Sequence, residues 1–505
     1  MKMPTWSPAN TVVIAGAWAS RNSGWNSARR LFAHSSSAKP SFPAGCGSPQ
    51  RRHVLVFLGM MGVAVDYLVR YSISVAIVAM VQTPHLLTNA SHDKEICPAA
   101  ANTTHGGGAD PHAEGEYDWS EEMTGVILGM FFWGYFITKA AGGRIAELVG
   151  ARVTMAASLG ASGLLSLLCP TAANLHPLAL AGLRLAMGLV QGPAFPALYS
   201  LLARWSPPDE LATMVSVSFS GMLLGNMVAL GGSGLVVEWF GWRWVFWIGG
   251  LLALAWTPLW LALVRESPEE HPWITAEEKN LLAVNLDVKP RRRVPWVRVL
   301  RCWTFLAAIL AEFSGSWVAA LLTTEAPTFL TNQIGLSLQS SGYVCVVGTA
   351  VSYVFAIFYG KLSDSLIRRK YLTKVNVRRL LYAIGFVIIC SSLIGIVLAK
   401  CDTVTVSIFV VVAMAGASVN MVTYQLTPMD LAPNYAGTLS GLIGIGNIGS
   451  FAAPLVTSKL LVDLENGWSA TFLLGSGIYF LLGIFYIFVV RADIEPWNYY
   501  DEIEE

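Results

Sequence analysis

The chain has 505 residues, 54% of them hydrophobic and only 13% charged, with a formal net charge of +1. A soluble globular chain carries about 25% charged residues, so this composition excludes an ordinary water-soluble domain. Apolar runs of about 20 residues recur along the whole length, which predicts an all-α polytopic membrane protein. The near-neutral balance gives no nucleic-acid signature, and no partner of that kind is expected.

Residues 1–52 hold seven Lys/Arg and no Asp or Glu. Such a start fits either a disordered cytosolic tail or an organelle transit peptide, and the cytosolic tail is the reading taken here. Twelve spans follow, at 53–81, 119–143, 153–171, 177–203, 211–236, 243–264, 301–325, 340–362, 379–399, 404–427, 436–461 and 469–491. They divide into an N-terminal half, 53–264, and a C-terminal half, 301–491, with a charged central loop at 265–300 and an acidic tail at 492–505.

Span one contains VAVDYLVRYSISVA, with Asp66 and Arg70 four residues apart in an apolar run. An arginine at mid-membrane costs at least ~2.5 kcal/mol, so it is expected to face a polar cavity. A guanidinium there grips a carboxylate or phosphate through two parallel hydrogen bonds. The alternative is that Asp66, on nearly the same helix face, simply neutralises it. Anion contact is the favoured reading, and the pair would open when an anion arrives.

The loop at 82–118 carries one Lys, six acidic residues and two glycosylation sequons, at Asn89 and Asn102. That content predicts a lumenal or extracellular loop. The central loop carries seven Lys/Arg, and residues 363–378 carry Arg368, Arg369, Lys370, Lys374 and Arg378. Positive charge on these loops and on the N-terminus predicts that both termini are cytosolic.

After span two the chain reads Gly143-RIA-Glu147-LV-Gly150-A-Arg152, and after span eight Gly360-KLS-Asp364-SLI-Arg368. In each, a glycine permits close helix approach and an acid follows four residues on. The acid and the bases are expected to pair or to cap helix ends at a cytosolic gate. Gly221-MLL-Gly225 and Gly437-TLS-Gly441, in spans five and eleven, read as packing surfaces that slide against the opposite half.

Arg184 of span four lies about seven residues from the lumenal edge, roughly 10 Å deep. It either pairs with a carboxylate or relays protons, or it snorkels to the lumenal interface. Lys139 is expected to snorkel to the cytosolic interface. Glu312, embedded in span seven, reads either as an ion or proton ligand or as a partner of a neighbouring cation. Asn447 reads as a ligand for Na⁺ or substrate, or as a helix–helix hydrogen bond. The seven cysteines and eight histidines show no metal-ligand or disulfide-framework spacing, and no nucleophile elbow or phosphate-binding loop suggests an enzyme.

The paired loop motifs resemble those of the major facilitator superfamily. The stretches FFWGYFITKAAGG, RLAMGLVQGPAFPAL, RWSPPDE, ESPEEHPWITAEEK and MDLAPNYAGTLSGLIGIGN, with the late EPW, narrow the resemblance. They are similar to the anion:cation symporter family, which includes the sodium–phosphate type I transporters, sialin, and the vesicular glutamate and nucleotide transporters. The match runs from about His53 to Trp497, and the closest type is the putative inorganic phosphate cotransporter.

The resemblance implies anion transport by alternating access. It implies substrate-binding roles for Arg70, Tyr135, Gln191, Ser316, Trp317 and Asn447, and charge-pair or coupling roles for Asp66, Arg184 and Glu312. Three departures bear on the substrate. Gln191 stands where proton-coupled members have a titratable Glu, Gly315 where glutamate carriers have an Arg, and Leu128 where they have a His.

The reading is therefore a secondary carrier of small anions, Na⁺-coupled and favouring inorganic phosphate, with no cofactor beyond the coupling ion. The alternatives are an organic-anion carrier (nucleotide, sialate, urate or acidic amino acid) driven by potential or protons, and a transport-inactive receptor or scaffold. The home is the plasma membrane or an intracellular vesicle membrane.

Overall fold

A computed structural model describes residues 50–81, 115–283 and 293–499. Among the described residues twelve helices are long and apolar enough to cross a membrane. They are α1 (Arg51–Met80), α2 (Glu122–Val149), α3 (Ala151–Leu175), α4 (Pro177–Trp205), α5 (Leu211–Phe240), α6 (Trp242–Leu263), α7 (Trp303–Asn332), α8 (Gln339–Arg368), α9 (Lys374–Ala399), α10 (Thr403–Leu431), α11 (Pro433–Asp463) and α12 (Gly467–Val489). Among the described residues there is no named strand, only one isolated bridge between Val81 and Tyr117.

Local chemistry sets the helix ends. Ser120, Ser337 and Thr373 accept a backbone N–H of the turn that follows, and Asp402 accepts two. Between α2 and α3, Gly150 adopts a φ of 109°, which a residue with a side chain rarely takes, so the chain reverses within a single residue.

The two halves repeat one packing scheme. In the first, α1 packs on α5, α2 on α4 and α3 on α6; in the second, α7 packs on α11, α8 on α10 and α9 on α12. The halves meet where α2 packs on α11 and where α5 packs on α8. With twelve spans, the start of α1 and the end of α12 lie on one face, termed here the terminal face.

Several details depart from the sequence reading. The first helix begins at Arg51 rather than His53, and Arg52 is buried. Part of the central loop is folded: the turn Pro268–Glu270 and the helices Ala276–Leu282 and Trp296–Leu300 belong to it. Of the acidic tail, residues 492–499 are described, and Trp497 and Asn498 are buried. Asn498 accepts the Asn434 N–H through its side chain at 3.1 Å and the Asn434 side chain through its carbonyl at 2.9 Å. Cys401 is disulfide-bonded, which the scattered cysteines did not suggest. Asn89, Asn102, Arg291 and Arg292 lie outside the described residues.

Candidate transport site

A cavity of about 300 Å³ opens between the halves at mid-depth. From the first half come Tyr67, Arg70 and Tyr71 of α1, and Phe132, Tyr135 and Lys139 of α2. From the second come Glu312 and Ser316 of α7, Asn420, Tyr424 and Gln425 of α10, and Asn447 of α11. Aromatic rings form most of the first-half wall.

Arg70 is the only one of its wall's charges held in a cage. Its Nη2 donates to Asp66 at 2.8 Å and, more weakly, to the Gln191 side-chain oxygen at 3.5 Å. Its guanidinium carbon lies 4.3 Å from the Tyr135 ring centroid, 4.7 Å from that of Tyr67 and 5.1 Å from that of Phe131. Rings at these distances offset the cost of removing the cation from water. The buried Nε has no hydrogen-bond partner. A charged side chain that lines a cavity and has an unpaired donor is suited to receive an acceptor.

Gln191 and Asp66 sit behind Arg70 and do not line the cavity. Gln191 is fully buried and donates to Ser162 at 2.5 Å, so it orients the guanidinium rather than reaching a solute. Among the described residues Arg184 pairs with no carboxylate, and it does not snorkel. It is buried, donates to the Arg70 carbonyl at 3.0 Å and lies 4.6 Å over Phe131. Its aromatic and carbonyl partners offset the charge in part, and its buried Nε and Nη1 have no hydrogen-bond partner.

Lys139 does not snorkel. It lines the cavity, with Nζ 5.3 Å from the Tyr135 ring centroid. Ser316 lines the cavity too, its hydroxyl donating to the carbonyls of Phe313 and Gly446 at 3.0 Å each. Trp317 does not; one position further round α7, it faces the ring of Phe313 and Gly475 of α12. The 100° step between adjacent helical residues separates the two.

The paired loop motifs meet the opposite half on the terminal face. Glu147 accepts the backbone N–H of Thr438 at 2.7 Å and its hydroxyl at 2.6 Å, at the start of the α-helical part of α11. Asp364 accepts the N–H groups of Ala212 and Thr213 at 3.1 and 2.7 Å, at the start of α5. Each carboxylate caps a helix N-terminus across the interface, where the unpaired N–H groups and the dipole favour negative charge. A Cβ on Gly143 would collide with the Gly437 carbonyl, so glycine is required for α2 to lie this close to α11. Gly360 likewise faces Ser216 of α5.

The bases of the motifs behave otherwise than expected. Glu147 pairs with Arg144 at 3.2 Å, while Arg152 donates to Glu266 through its backbone at 2.9 Å and to the Leu261 carbonyl through its guanidinium. Arg368 is exposed. Arg152 lies beyond the reversal at Gly150, on α3, where Glu266 and the Leu261 carbonyl take its donors, and Asp364 is already occupied by the N–H groups of Ala212 and Thr213. Of the small-residue pairs, Gly437 and Gly441 do face the other half, but Gly221 and Gly225 face Met60 and Ala64 of α1 within their own half.

Sequence reasoning missed two ion-pair networks on the terminal face. Arg378, read as a loop cation, is buried and bonded to Asp430 at 2.9 Å and Ser363 at 2.8 Å. Arg52 bonds Glu210 at 2.9 Å, and Glu278 accepts the N–H groups of Arg51 and Arg52. The charged partners lie 52 to 227 residues apart, beyond any local pattern. Among the described residues no three His, Cys, Asp or Glu side chains gather as a metal cluster.

Two repeated six-helix halves, a charged cavity between them and crossed latches on one face define a rocking membrane carrier. The family model described as Major Facilitator Superfamily matches residues 59–454, and the chain belongs to that superfamily. It is 28% identical over 464 residues to sialin of Ovis aries, covering 91% of this chain and 92% of that one. It is 27% identical over 475 residues to vesicular glutamate transporter 1 of Bos taurus, covering 92% and 81%. These relatives bear out the resemblance to the anion:cation symporter family. The solved proton:xylose symporter XylE, bound to 6-bromo-6-deoxy-D-glucose, shares the fold at a TM-score of 0.62 and 15% identity, over 90% of this chain and 99% of that one. The protein is a multi-pass membrane protein and a secondary transporter, and its relatives are transporters rather than enzymes.

Proposed function

We propose that this transporter carries a small organic anion through the cavity by alternating access, with Arg70 as the group that grips it. The observation that carries the reading is the Arg70 guanidinium: it faces the cavity, is backed by Asp66 and Gln191, and keeps donor capacity unused. The vesicular glutamate transporters among the relatives carry an anion of this class in their name. A cavity of about 300 Å³ walled by aromatic rings suits a solute with an apolar body and a charged end better than a compact inorganic ion. Glutamate itself is disfavoured, because Gly315 lies under the hydroxyl of Tyr424 and brings no second guanidinium.

Na⁺-coupled transport of inorganic phosphate is the second reading. Tyr67, Tyr71 and Tyr135 ring Arg70, and their hydroxyls would suit a tetrahedral oxyanion. The Gln191 amide beside Arg70 does not titrate where a carboxylate would, which favours coupling to Na⁺ or to the membrane potential over coupling to protons. The positive charge of its loops supports a cytosolic terminal face.

The test is uptake by the full-length protein in proteoliposomes, with labelled phosphate and a competing panel of nucleotide, sialate, urate and acidic amino acid. Each is run under a Na⁺ gradient, a proton gradient or a membrane potential. Saturable uptake blocked by an organic anion supports the first reading, and phosphate uptake without such competition supports the second. No flux of any anion under any gradient identifies a transport-inactive scaffold.

A further inference from the structure

Opposite Arg70, the cavity has a second charged pole that an anion alone does not need. Glu312 of α7 is over nine-tenths buried yet lines the cavity. Tyr424, Gln425 and Asn447, with Lys139 and Tyr199, line the same cavity as its carboxylate. No ion pair of 4.0 Å or closer joins Glu312 to Lys139. The Gln425 side-chain oxygen is buried and has no hydrogen-bond partner. Asn447 donates its amide N–H to the Gly444 carbonyl at 3.1 Å, which leaves its own oxygen as an acceptor.

The backbone around these groups is broken. α10 passes through short 3₁₀ turns at Ser418–Val422 and Tyr424–Leu426, and α11 through another at Gly444–Asn447. Interrupted membrane helices turn carbonyl groups toward a cavity, and this is how carriers build cation sites. Glycines bring the charged groups to that break. A Cβ on Gly444 would stand 2.9 Å from Lys139 Nζ, and one on Gly446 would stand 2.8 Å from the Glu312 Cβ.

We propose that Glu312, with the side-chain oxygens of Gln425 and Asn447, forms a monovalent-cation subsite, and that the Lys139 ammonium is its resident competitor. The inference rests on the reading of the cavity as the substrate site. All the donors are hard oxygens, which suit Na⁺ or an ammonium group rather than a soft metal. A single carboxylate matches a single positive charge.

The charges explain coupling. Arg70, paired with Asp66 and with Arg184 bonded to its carbonyl, makes a pole of one net positive charge, whereas Lys139 and Glu312 together hold none. An anion at Arg70 cancels the first pole, and a cation at Glu312 takes up the carboxylate as Lys139 withdraws from it. Bound anion and bound cation then attract each other across a low-dielectric cavity, so each favours the other. The cation arrives either as a free coupling ion or as the ammonium end of a zwitterionic substrate.

The experiment is thermal melting of the full-length protein in phosphatidylcholine nanodiscs, in sodium, choline or methylammonium chloride at equal ionic strength. Wild type, Glu312→Gln, Glu312→Asp, Lys139→Gln and Arg70→Lys are compared. Na⁺ is expected to raise the melting temperature of wild type, not to raise that of Glu312→Gln, and to act at higher concentration on Glu312→Asp. In Lys139→Gln the half-saturating Na⁺ concentration is expected to fall about tenfold, as the competing charge is gone.

A shift with methylammonium and none with Na⁺ assigns the same subsite to a substrate ammonium. An equal shift in Glu312→Gln, or no shift by any cation in wild type and Lys139→Gln, overturns the proposal. Arg70→Lys separates the two readings. A Glu312-dependent shift retained there while no anion flux is found sinks the transport reading and leaves the cation site standing; anion flux without any cation shift sinks the cation site alone.

Discussion

Glu147 of α2 and Thr438 of α11 are joined twice across the interface, through the Thr438 N–H at 2.7 Å and its hydroxyl at 2.6 Å. The carboxylate is buried, and besides Arg144 of its own helix its partner is Thr438 of the opposite half. A carrier must part these helices to open its terminal face, so this contact is a latch on the closed state. At about 1.5–3 kcal/mol for each hydrogen bond to a charged group, Glu147→Ala is expected to shift the ratio of open to closed by tenfold or more. Labelling of a cysteine introduced at Ser440, which lines the cavity, by a thiol reagent added on that face is the readout. Labelling rises in the variant; unchanged labelling means that the contact does not hold the face shut.

Gly143 makes a sterically opposite prediction from the same interface. Gly143→Val places a side chain where the Gly437 carbonyl now lies. The halves then cannot close on the terminal face, and transport is abolished while the protein still folds within each half. Cross-linking of cysteine pairs at the terminal ends of α2 and α11 falls, and cross-linking between α1 and α5 stays as in wild type.

The Asp66–Arg70 pair separates stability from transport. Asp66 is 1% exposed, so Arg70→Ala leaves a buried carboxylate unmatched, a change that costs about 3–5 kcal/mol. The double variant Asp66→Asn/Arg70→Ala removes that charge and is expected to recover much of the melting temperature without recovering transport. Recovery of both would make the pair purely structural.

The folded part of the central loop carries a pH dependence. His271 is packed against Trp205 and Trp273, its Nε2 at 3.2 Å from the Leu263 carbonyl and its Nδ1 accepting the Trp273 N–H at 3.2 Å. Burial pushes its pKa below the ordinary 6.5, opposed first by the hydrogen bond to the Leu263 carbonyl and then by Glu278, while Arg51 and Arg265 add to the shift. The unfolded segment therefore binds a proton more readily than the folded one, and stability falls as pH drops below 6.5. Hydrogen exchange over residues 265–283 is expected to quicken, after correction for intrinsic rates, as pH is lowered through that value. His271→Gln, which keeps a donor for Leu263, flattens the dependence.

What the sequence disclosed followed from local spacing. Asp66 and Arg70 are one helical turn apart, so their pairing and their mid-membrane depth are both readable. Glu147 and Asp364 were identifiable as gate acids because each sits at a fixed offset from a glycine at the end of a span. Helix rotation was not readable where every face is apolar. Lys139 was assigned to the membrane interface because its depth was known and its direction was not, and Trp317 was placed in the cavity beside Ser316 although it turns toward α12. Contacts between distant segments were equally hidden: nothing near Arg378 announces Asp430, and nothing near Arg52 announces Glu278.

The most direct measurement is uptake of the anion selected from the competing panel, by wild type and by Arg70→Lys, in proteoliposomes with matched protein content and melting temperature. The lysine keeps the charge beside Asp66 but replaces the planar fork with a single ammonium. Saturable uptake in wild type, with the half-saturating concentration in Arg70→Lys raised tenfold or more or uptake lost altogether, is the predicted result. Uptake by Arg70→Lys equal to that of wild type in both affinity and rate would remove Arg70 from the anion site.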